Sequence, residues 1–542
     1  MIRLSAVRGP VAFRVLFCLL LLAGTIVTPW TFAAAPKRPA KPQPNLPDLK
    51  TPEDKMKFLE MIRASFPVLR AGRNVSFDSE DLDRDLERQI AKGTSTPFAE
   101  IIDDETFIRR ASIDATGEVP SAKQVRAFVA DKNPKKRAAL VDELLASDAF
   151  ARKWARYWRN VIFYESNANR NMINPQALED FFFEEFKAGT SWDRIVGELM
   201  SSSPARDRNK KPEDNGWNQD YGPNNFILAC ENKPELIASN TARLFMGISI
   251  GCAECHDHPF DSWKREQFHE LAAFYSSGKY YMTDQNDPSQ KTEMTPKFLL
   301  GETPPAKLKP DQRRVAGAAY LIYNPDNYWF ARAYVNRIWS ELVGDGFYSV
   351  DSLGPDKEVQ HVLTINRLAA AFRYSGFDIR GLFRVLMNSR TYQRGIATLS
   401  HPEDLFTAVR PSRLRPYEVA DNVERLTGSL GGLRKSMEST FDANPSIPQS
   451  DLEGSIQQAL LLMNNPTISG KLANSSLKKD LVNIKDDKAM ISEAFLGILA
   501  RTPTPQESVR YEYFMKDVTN RNEAIDDLMW VLVNSAEFCT KR

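Results

Sequence analysis

Along most of this chain apolar residues recur at helical spacing. From about Phe98 the pattern is strong: Phe107, Ile108, Ala111 and Ile113 precede a turn at Gly117-Glu118-Val119-Pro120. Ser121 opens the next helix with Gln124 three residues on, the pairing of a capping box. Leu140, Val141, Leu144 and Leu145 keep the helical period. The period fails in a polar run from Ser201 to Asn225 and in a proline-rich run from about Ser276 to Pro310. It resumes near Ala316, breaks between Gly428 and Gly454, and returns from Ile491 to Phe538. Alternating strand patterns with hairpin turns are scarce. The expected fold is therefore mainly α, with two helical domains and long irregular loops.

One short pattern occurs three times. Leu140 to Phe150, Leu382 to Tyr392 and Leu528 to Phe538 each run as an apolar helix, then a serine (Ser147, Ser389, Ser535), then an aromatic three positions later. The serine is expected to help end the helix while the ring packs back over its last turn. Arg501-Thr-Pro-Thr504-Pro-Gln-Glu507 repeats the turn and capping box seen at Ser121. Shared helix-end chemistry accounts for these echoes, and so does duplication of a helical unit.

The N-terminus has a different character. Arg3, Arg8 and Arg14 precede an uncharged apolar run from Val15 to Val27, and Ala33, Ala34 and Ala35 follow. This is the order of a secretory signal peptide, with an apolar run too short for a stable membrane span. Pro36, Pro39, Pro42, Pro44 and Pro47 are interleaved with basic residues, as in an extended linker. The expected organisation is a signal peptide over 1–35 and a Pro-rich linker with a helical lead-in over 36–97. One domain then covers 98–300 and a second covers 301–542. The mature chain is expected in an extracytoplasmic space, periplasmic or secreted, with no membrane span after signal cleavage.

Charge and composition exclude some partners. With 71 Lys+Arg against 70 Asp+Glu, the net charge of +1 provides no field for nucleic acid or an anionic membrane. Five Cys in 542 residues exclude a disulfide-dense scaffold. The rare residues are not scattered, however. Two of the five Cys and three of the five His lie between Cys252 and His269.

Cys252-Ala-Glu-Cys255-His256 is a C-x-x-C-H sequence, the attachment signature of c-type haem. At this composition about 0.0004 chance matches are expected, so coincidence is a poor account. Two thiols three residues apart can add to the two vinyl groups of one porphyrin, and the adjacent imidazole of His256 can ligate its iron. Two other chemistries meet the same pattern. One is a metal site, zinc for example, built from Cys252, Cys255 and His256 or His258. The other is a disulfide or free dithiol with no cofactor. Asp257, His258 and Asp261 supply second-shell groups in any of these. Met246, His269, Met282 and Met463 are formal candidates for a sixth haem ligand. Cys230 and Cys539 are the remaining mature cysteines and could form a disulfide.

The run Cys252-Ala-Glu-Cys-His-Asp-His-Pro-Phe-Asp-Ser-Trp263 resembles the C-A-Q-C-H-D-H-P-F-D-x-W hallmark of planctomycete secreted cytochrome-like proteins. That family carries two domains of unknown function in tandem, a cytochrome-like one followed by a planctomycete secreted domain. Phe107-Ile-Arg-Arg110, Gly117 and Pro120 fit the opening of the first. Val335-Asn-Arg-Ile-Trp339, Ser389-Arg-Thr-Tyr-Gln393, Arg413-Leu414 with Glu418, and Leu462-Met-Asn-Asn-Pro466 fit the second. The resemblance spans nearly everything from Phe98 to Arg542 and implies a cytochrome-like function. Glu254 stands where the family has Gln, Ala115 where it has Leu, and the stretch from Gly354 to His361 lacks an Asn-Pro-Pro-Ser-His-Pro run.

Other signals carry less. Gly247-Ile-Ser-Ile-Gly251 matches G-x-S-x-G, but a helix rather than a strand is expected before it. Trp154, Tyr157 and Trp158 lie at helical spacing and read as core. Trp217 and Tyr221, in the polar run, offer a weak carbohydrate contact. Glu179, Glu184 and Glu185 read as a solvated face, and no residue set specifies an enzymatic reaction. The leading expectation is an exported protein with one haem c and an electron-transfer role toward a redox partner protein. The alternative is a non-redox secreted scaffold, or a carbohydrate-associated accessory protein, whose Cys/His loop is a structural metal site or disulfide.

Overall fold

The computed structural model describes residues 48–64, 77–93, 96–205, 216–351, 359–401 and 406–541. The signal peptide and the proline-rich part of the linker, through residue 47, lie outside the described residues, as do 354–358 of the divergent 354–361 stretch. The described residues are mainly helical. Their one sheet is a two-stranded antiparallel hairpin, Tyr280–Thr283 against Lys291–Met294, within the run expected to be irregular. Among them no helix is long and apolar enough to cross a membrane.

Local chemistry starts and stops the helices. At Ser121 the capping box forms in both directions: Gln124 N–H donates to Ser121 Oγ at 3.3 Å and Ser121 N–H to Gln124 Oε1 at 2.9 Å. Thr504 and Glu507 form the same pair. The three recurrent serines do more than end a helix. Ser147, Ser389 and Ser535 each donate to the carbonyl three residues back, Leu144, Leu386 and Leu532, at 2.7 Å. Each also accepts the N–H of the aromatic three residues ahead, at 3.1–3.3 Å. One hydroxyl therefore closes one helix and caps the next. Phe150, Tyr392 and Phe538 are all 0 % exposed, so each corner is pinned by a buried ring.

The core is aromatic and crosses the proline-rich run. Trp158, on the helix Asp148–Phe163, meets Trp192 at 4.4 Å between ring centroids and stacks on Tyr334 at 6.0 Å. Trp154 and Tyr157 are buried beside it, as their spacing predicts. Tyr334 belongs to the helix Trp329–Val343, in which every residue is buried. Asp48 to Arg542 accordingly form one compact unit, with segments on both sides of 276–310 sharing a core.

That core holds many charges, and most of its cations face backbone carbonyls at helix ends. Arg109 donates to Leu499 O at 3.0 Å, Glu537 O at 2.9 Å and Thr540 O at 3.1 Å. Arg110 donates to Tyr392 O and Arg394 O, Lys153 to Ile113 O and Asp114 O, and Arg314 to Ser202 O and Tyr275 O. These carbonyls lie in the last turn of a helix or just past it, at the negative end of the helix dipole. Carboxylates complete the network: Lys153 pairs with Glu418 at 2.9 Å, Lys541 with Asp114 at 2.6 Å, and Arg415 with Glu341. Glu179 is buried as well, against Arg156 and Arg159, and is not part of a solvated face.

Removing one such cation should be costly. Arg109→Leu removes three buried charge-assisted hydrogen bonds to carbonyls and should lower the unfolding free energy by about 2–4 kcal/mol. Urea unfolding checks this, and a change below about 0.5 kcal/mol would mean that the contacts are incidental.

Candidate functional site

The helix Pro234–Met246 ends at Gly247, which takes a left-handed conformation (φ 65°) and donates its N–H to Arg243 O at 3.1 Å. Gly247 is thus a helix cap, and the G-x-S-x-G match lies on no strand-to-helix elbow. The chain then runs through buried Ile248 and Ile250 into the 3-10 turn Gly251–Glu254. A Cβ on Gly251 would lie 3.1 Å from Ser239 Oγ, so glycine lets the turn seat closely on the helix. Ala253 is fully buried and anchors the turn, while Cys252, Cys255 and His256 are exposed. The three residues of the C-x-x-C-H motif that bear chemistry therefore share the outer surface of one short turn.

The turn is fixed from its C-terminal side. Arg265 reaches back with Nε to Glu254 O at 3.2 Å and with Nη2 to Thr283 O at 2.6 Å. Its N–H donates to Asp257 Oδ1 at 3.0 Å, and Lys264 pairs with Asp257 Oδ2 at 2.8 Å. These contacts hold the Asp257 carboxyl below the usual range, the Lys264 ammonium first and the Arg265 amide next. His258 N–H donates to Trp263 O at 2.9 Å and closes the loop. Asp261 accepts the N–H of Ser262 at 2.6 Å.

The three histidines differ in state. On His256, Nδ1 lies 2.7 Å from Asp257 O; a carbonyl only accepts, so Nδ1 carries a proton and Nε2 is the ring nitrogen left to bind a metal. His258 is buried. Its Nδ1 accepts from Phe260 N–H at 3.3 Å, which puts the proton on Nε2, and that atom is buried without a partner. His269 is buried with both nitrogens engaged, Nε2 on Glu254 O at 3.0 Å and Nδ1 on Tyr280 Oη at 2.8 Å. Burial depresses its pKa, with the Glu254 carbonyl opposing. His269 thus locks the turn rather than offering a free ligand. Met246 is buried, Met282 is half-buried on the hairpin, and Met463 lies exposed on another helix, against Trp530.

The described residues contain no group of three or more His, Cys, Asp and Glu side chains placed to hold a metal ion. Cys252, Cys255, Cys230 and Cys539 are all free thiols. Cys230 and Cys539 do not pair. Cys230 lies beside Asn240 and Arg243, and Cys539 beside Arg413 and Arg109. Burial pushes their thiols up to about 12 and about 11, so neither is a ready nucleophile. Trp217 and Tyr221 are half-buried, and the Tyr221 hydroxyl donates to Glu198.

Residues 81–280 match the family model PSCyt2, a protein of unknown function (DUF1549), and residues 313–440 match PSD1, a protein of unknown function (DUF1553). The chain carries these two domains of unknown function in tandem. The cysteine turn lies in the PSCyt2 segment, and the fully buried helix Trp329–Val343 lies in the PSD1 segment. No curated protein and no solved structure matches the chain.

Spacing alone did not reveal the PSD1 residues that build the interior. Asn336 holds Phe347 N–H and Tyr348 O, Arg337 pairs with Asp351, and Glu418 takes Lys153. The sequence signal for them is the Val335–Trp339 and Arg413–Glu418 segments, which carry the family resemblance.

Glu254 gives a test of the loop's electrostatics. Burial, and then the charge of Glu235, raise its pKa above the ordinary 4.5. The folded chain holds this proton more tightly than the unfolded one, so stability falls as pH rises from 4.5 through the folded value. Glu254→Gln should remove that slope and raise stability at pH 7 by at most about 0.5 kcal/mol, since the group is partly exposed. Thermal melts from pH 4 to pH 7 check the sign (the pH range is ~3 units around the shift), and a destabilised variant would contradict it.

Proposed function

We propose that the chain is an exported protein that carries one covalently attached haem on Cys252 and Cys255, with His256 as an axial ligand, and exchanges electrons with a redox partner. The observation that carries this reading is the placing of two exposed free thiols beside an exposed imidazole whose Nδ1 is held by a carbonyl, all on one turn. Haem attachment needs thiols within reach of a bulky planar group, and axial ligation needs an unprotonated ring nitrogen. The donor set fits both needs. A haem, when bound, supplies one-electron chemistry.

The chain's own residues would tune the site. The Asp257 carbonyl orients the His256 ring, as outer-shell acceptors do for ligating histidines. The buried Nε2–H of His258 is a donor in search of an acceptor beside the turn. Phe260, 70 % exposed, places an apolar face four residues beyond His256, where a planar apolar group gains contact. Arg265 and His269 together hold the Glu254 carbonyl and keep the turn in shape.

The test is a pyridine haemochrome spectrum on protein exported by a host with haem-maturation machinery. A c-type band is expected from the wild type and none from Cys252→Ala/Cys255→Ala; in the absorption spectrum of the native reduced protein, taken before pyridine is added, His256→Ala should lose the low-spin axial signature. Absence of the band in the wild type would overturn the proposal.

A further inference from the structure

Two ammonium groups and two carboxylates share one dry cluster in the interior. Asp114, on the helix Asp104–Thr116, and Glu418, on the helix Pro416–Thr427, are each 0 % exposed. Lys153 and Lys541 are buried against them, Lys153 Nζ 2.9 Å from Glu418 Oε1 and Lys541 Nζ 2.6 Å from Asp114 Oδ1. Neither oxygen receives its ammonium in hydrogen-bonding orientation, so both are buried acceptors left unsatisfied. Such pairs carry the desolvation penalty of burial with an incomplete bond set against it.

The two pairs differ in what else they hold. Lys153 Nζ donates to two carbonyls, Ile113 O and Asp114 O, both at 2.8 Å. Lys541 Nζ donates to one, Glu341 O, at 2.6 Å. An amide nitrogen bearing two carbons has a single hydrogen, so Lys541 can become an amide and keep its carbonyl partner, whereas Lys153 cannot. The Asp114 carboxyl is also prepared. Its second oxygen, Oδ2, accepts from Tyr392 Oη at 2.7 Å. Burial, and then the Asp114 charge, push the Tyr392 pKa well above the ordinary 10, so this hydroxyl remains a donor.

We propose that Lys541 and Asp114 condense into an intramolecular isopeptide bond between Nζ and Cγ. In the dry cluster a proton passes from the ammonium to Oδ1, giving a neutral amine and a carboxylic acid. The amine lone pair attacks Cγ while Tyr392 donates to Oδ2, where negative charge develops. Oδ1 takes a second proton from nitrogen and leaves as water. An ammonium and a carboxylate thus become an amide and water, with no oxidant, reductant or activating group. One cation and one anion disappear together, and Lys153 and Glu418 remain paired. Holding the reacting groups in place favours the bond, since intramolecular positioning reaches effective concentrations of about 10⁵ M or more.

Intact mass of the mature, reduced chain under denaturing conditions tests the bond. The expected wild-type mass is lower by one water than that of the uncondensed chain. This deficit is separate from haem, whose added mass disappears in Cys252→Ser/Cys255→Ser while the water deficit stays. Trypsin does not cleave after an acylated lysine, so it should release a branched peptide joining Ala111–Lys123 to Asn522–Arg542. Lys541→Arg keeps the charge without the reactive amine, and should show the full mass and a linear Ala111–Lys123 peptide. Lys541→Met repeats the control without the charge. A wild-type mass equal to the uncondensed chain would overturn the proposal. So would a water deficit without the branched peptide, or one that persists in Lys541→Arg as an aspartyl succinimide would.

Discussion

Every α-helix leaves carbonyls at its C-terminal end with no partner inside the helix, and a protein built almost entirely of helices must meet that demand many times. Here distant cations meet it. Arg109, from near the start of the core, closes the helix ending at Leu499 and the C-terminal turn at Thr540. Arg380 closes the helix ending at Ala188, and Lys541, the penultimate residue, closes the helix Trp329–Val343 through Glu341 O. These bonds join segments hundreds of residues apart, so the PSCyt2 and PSD1 segments form one body. They also give physical meaning to the neutral charge count. A net charge of +1 conceals an interior in which cations outrun their carboxylate partners and are satisfied by backbone dipoles instead.

The cysteine turn uses the same device. Glu254 O closes the 3-10 turn and accepts from both Arg265 and His269. With the backbone held from behind and Ala253 buried beneath, the two thiols and the His256 ring are left on the outside with no structural duty. Buried cysteines elsewhere in the chain are protonated and enclosed; these two are neither enclosed nor paired. If the chain is exported as proposed, oxidation is the default for such exposed thiols, and covalent attachment of a group is one way the pair is retained.

Much of this was legible in the sequence, and its limits have physical causes. The helical class followed from the 3.6-residue period, and the capping boxes at Ser121 and Thr504 from two residue types at fixed spacing. The serine corners were read as helix ends; that each serine also caps the following helix depends on how sharply the chain turns, which periodicity does not encode. Short helices between Ile456 and Asn483 escaped because eight or nine residues hardly exceed two turns, although Ser455, Asn465 and Ser475 mark their starts as N-caps. The chemistry of the C-x-x-C-H run was visible because both thiols and the imidazole are local. The buried network of Lys153, Glu341, Arg415 and Glu418 was not, because a charged residue on a helix reads as solvated until its distant partner is known. Glu179 was misread for that reason.

The central claim is that the turn at Cys252 exists to hold one haem covalently. The most direct measurement is the intact mass, under denaturing conditions, of the mature protein exported by a haem-maturing host. The account predicts the chain plus one haem, with the added mass lost together in Cys252→Ser/Cys255→Ser. A wild-type mass equal to the bare chain, or lighter by only two hydrogens as a Cys252–Cys255 disulfide requires, would contradict it.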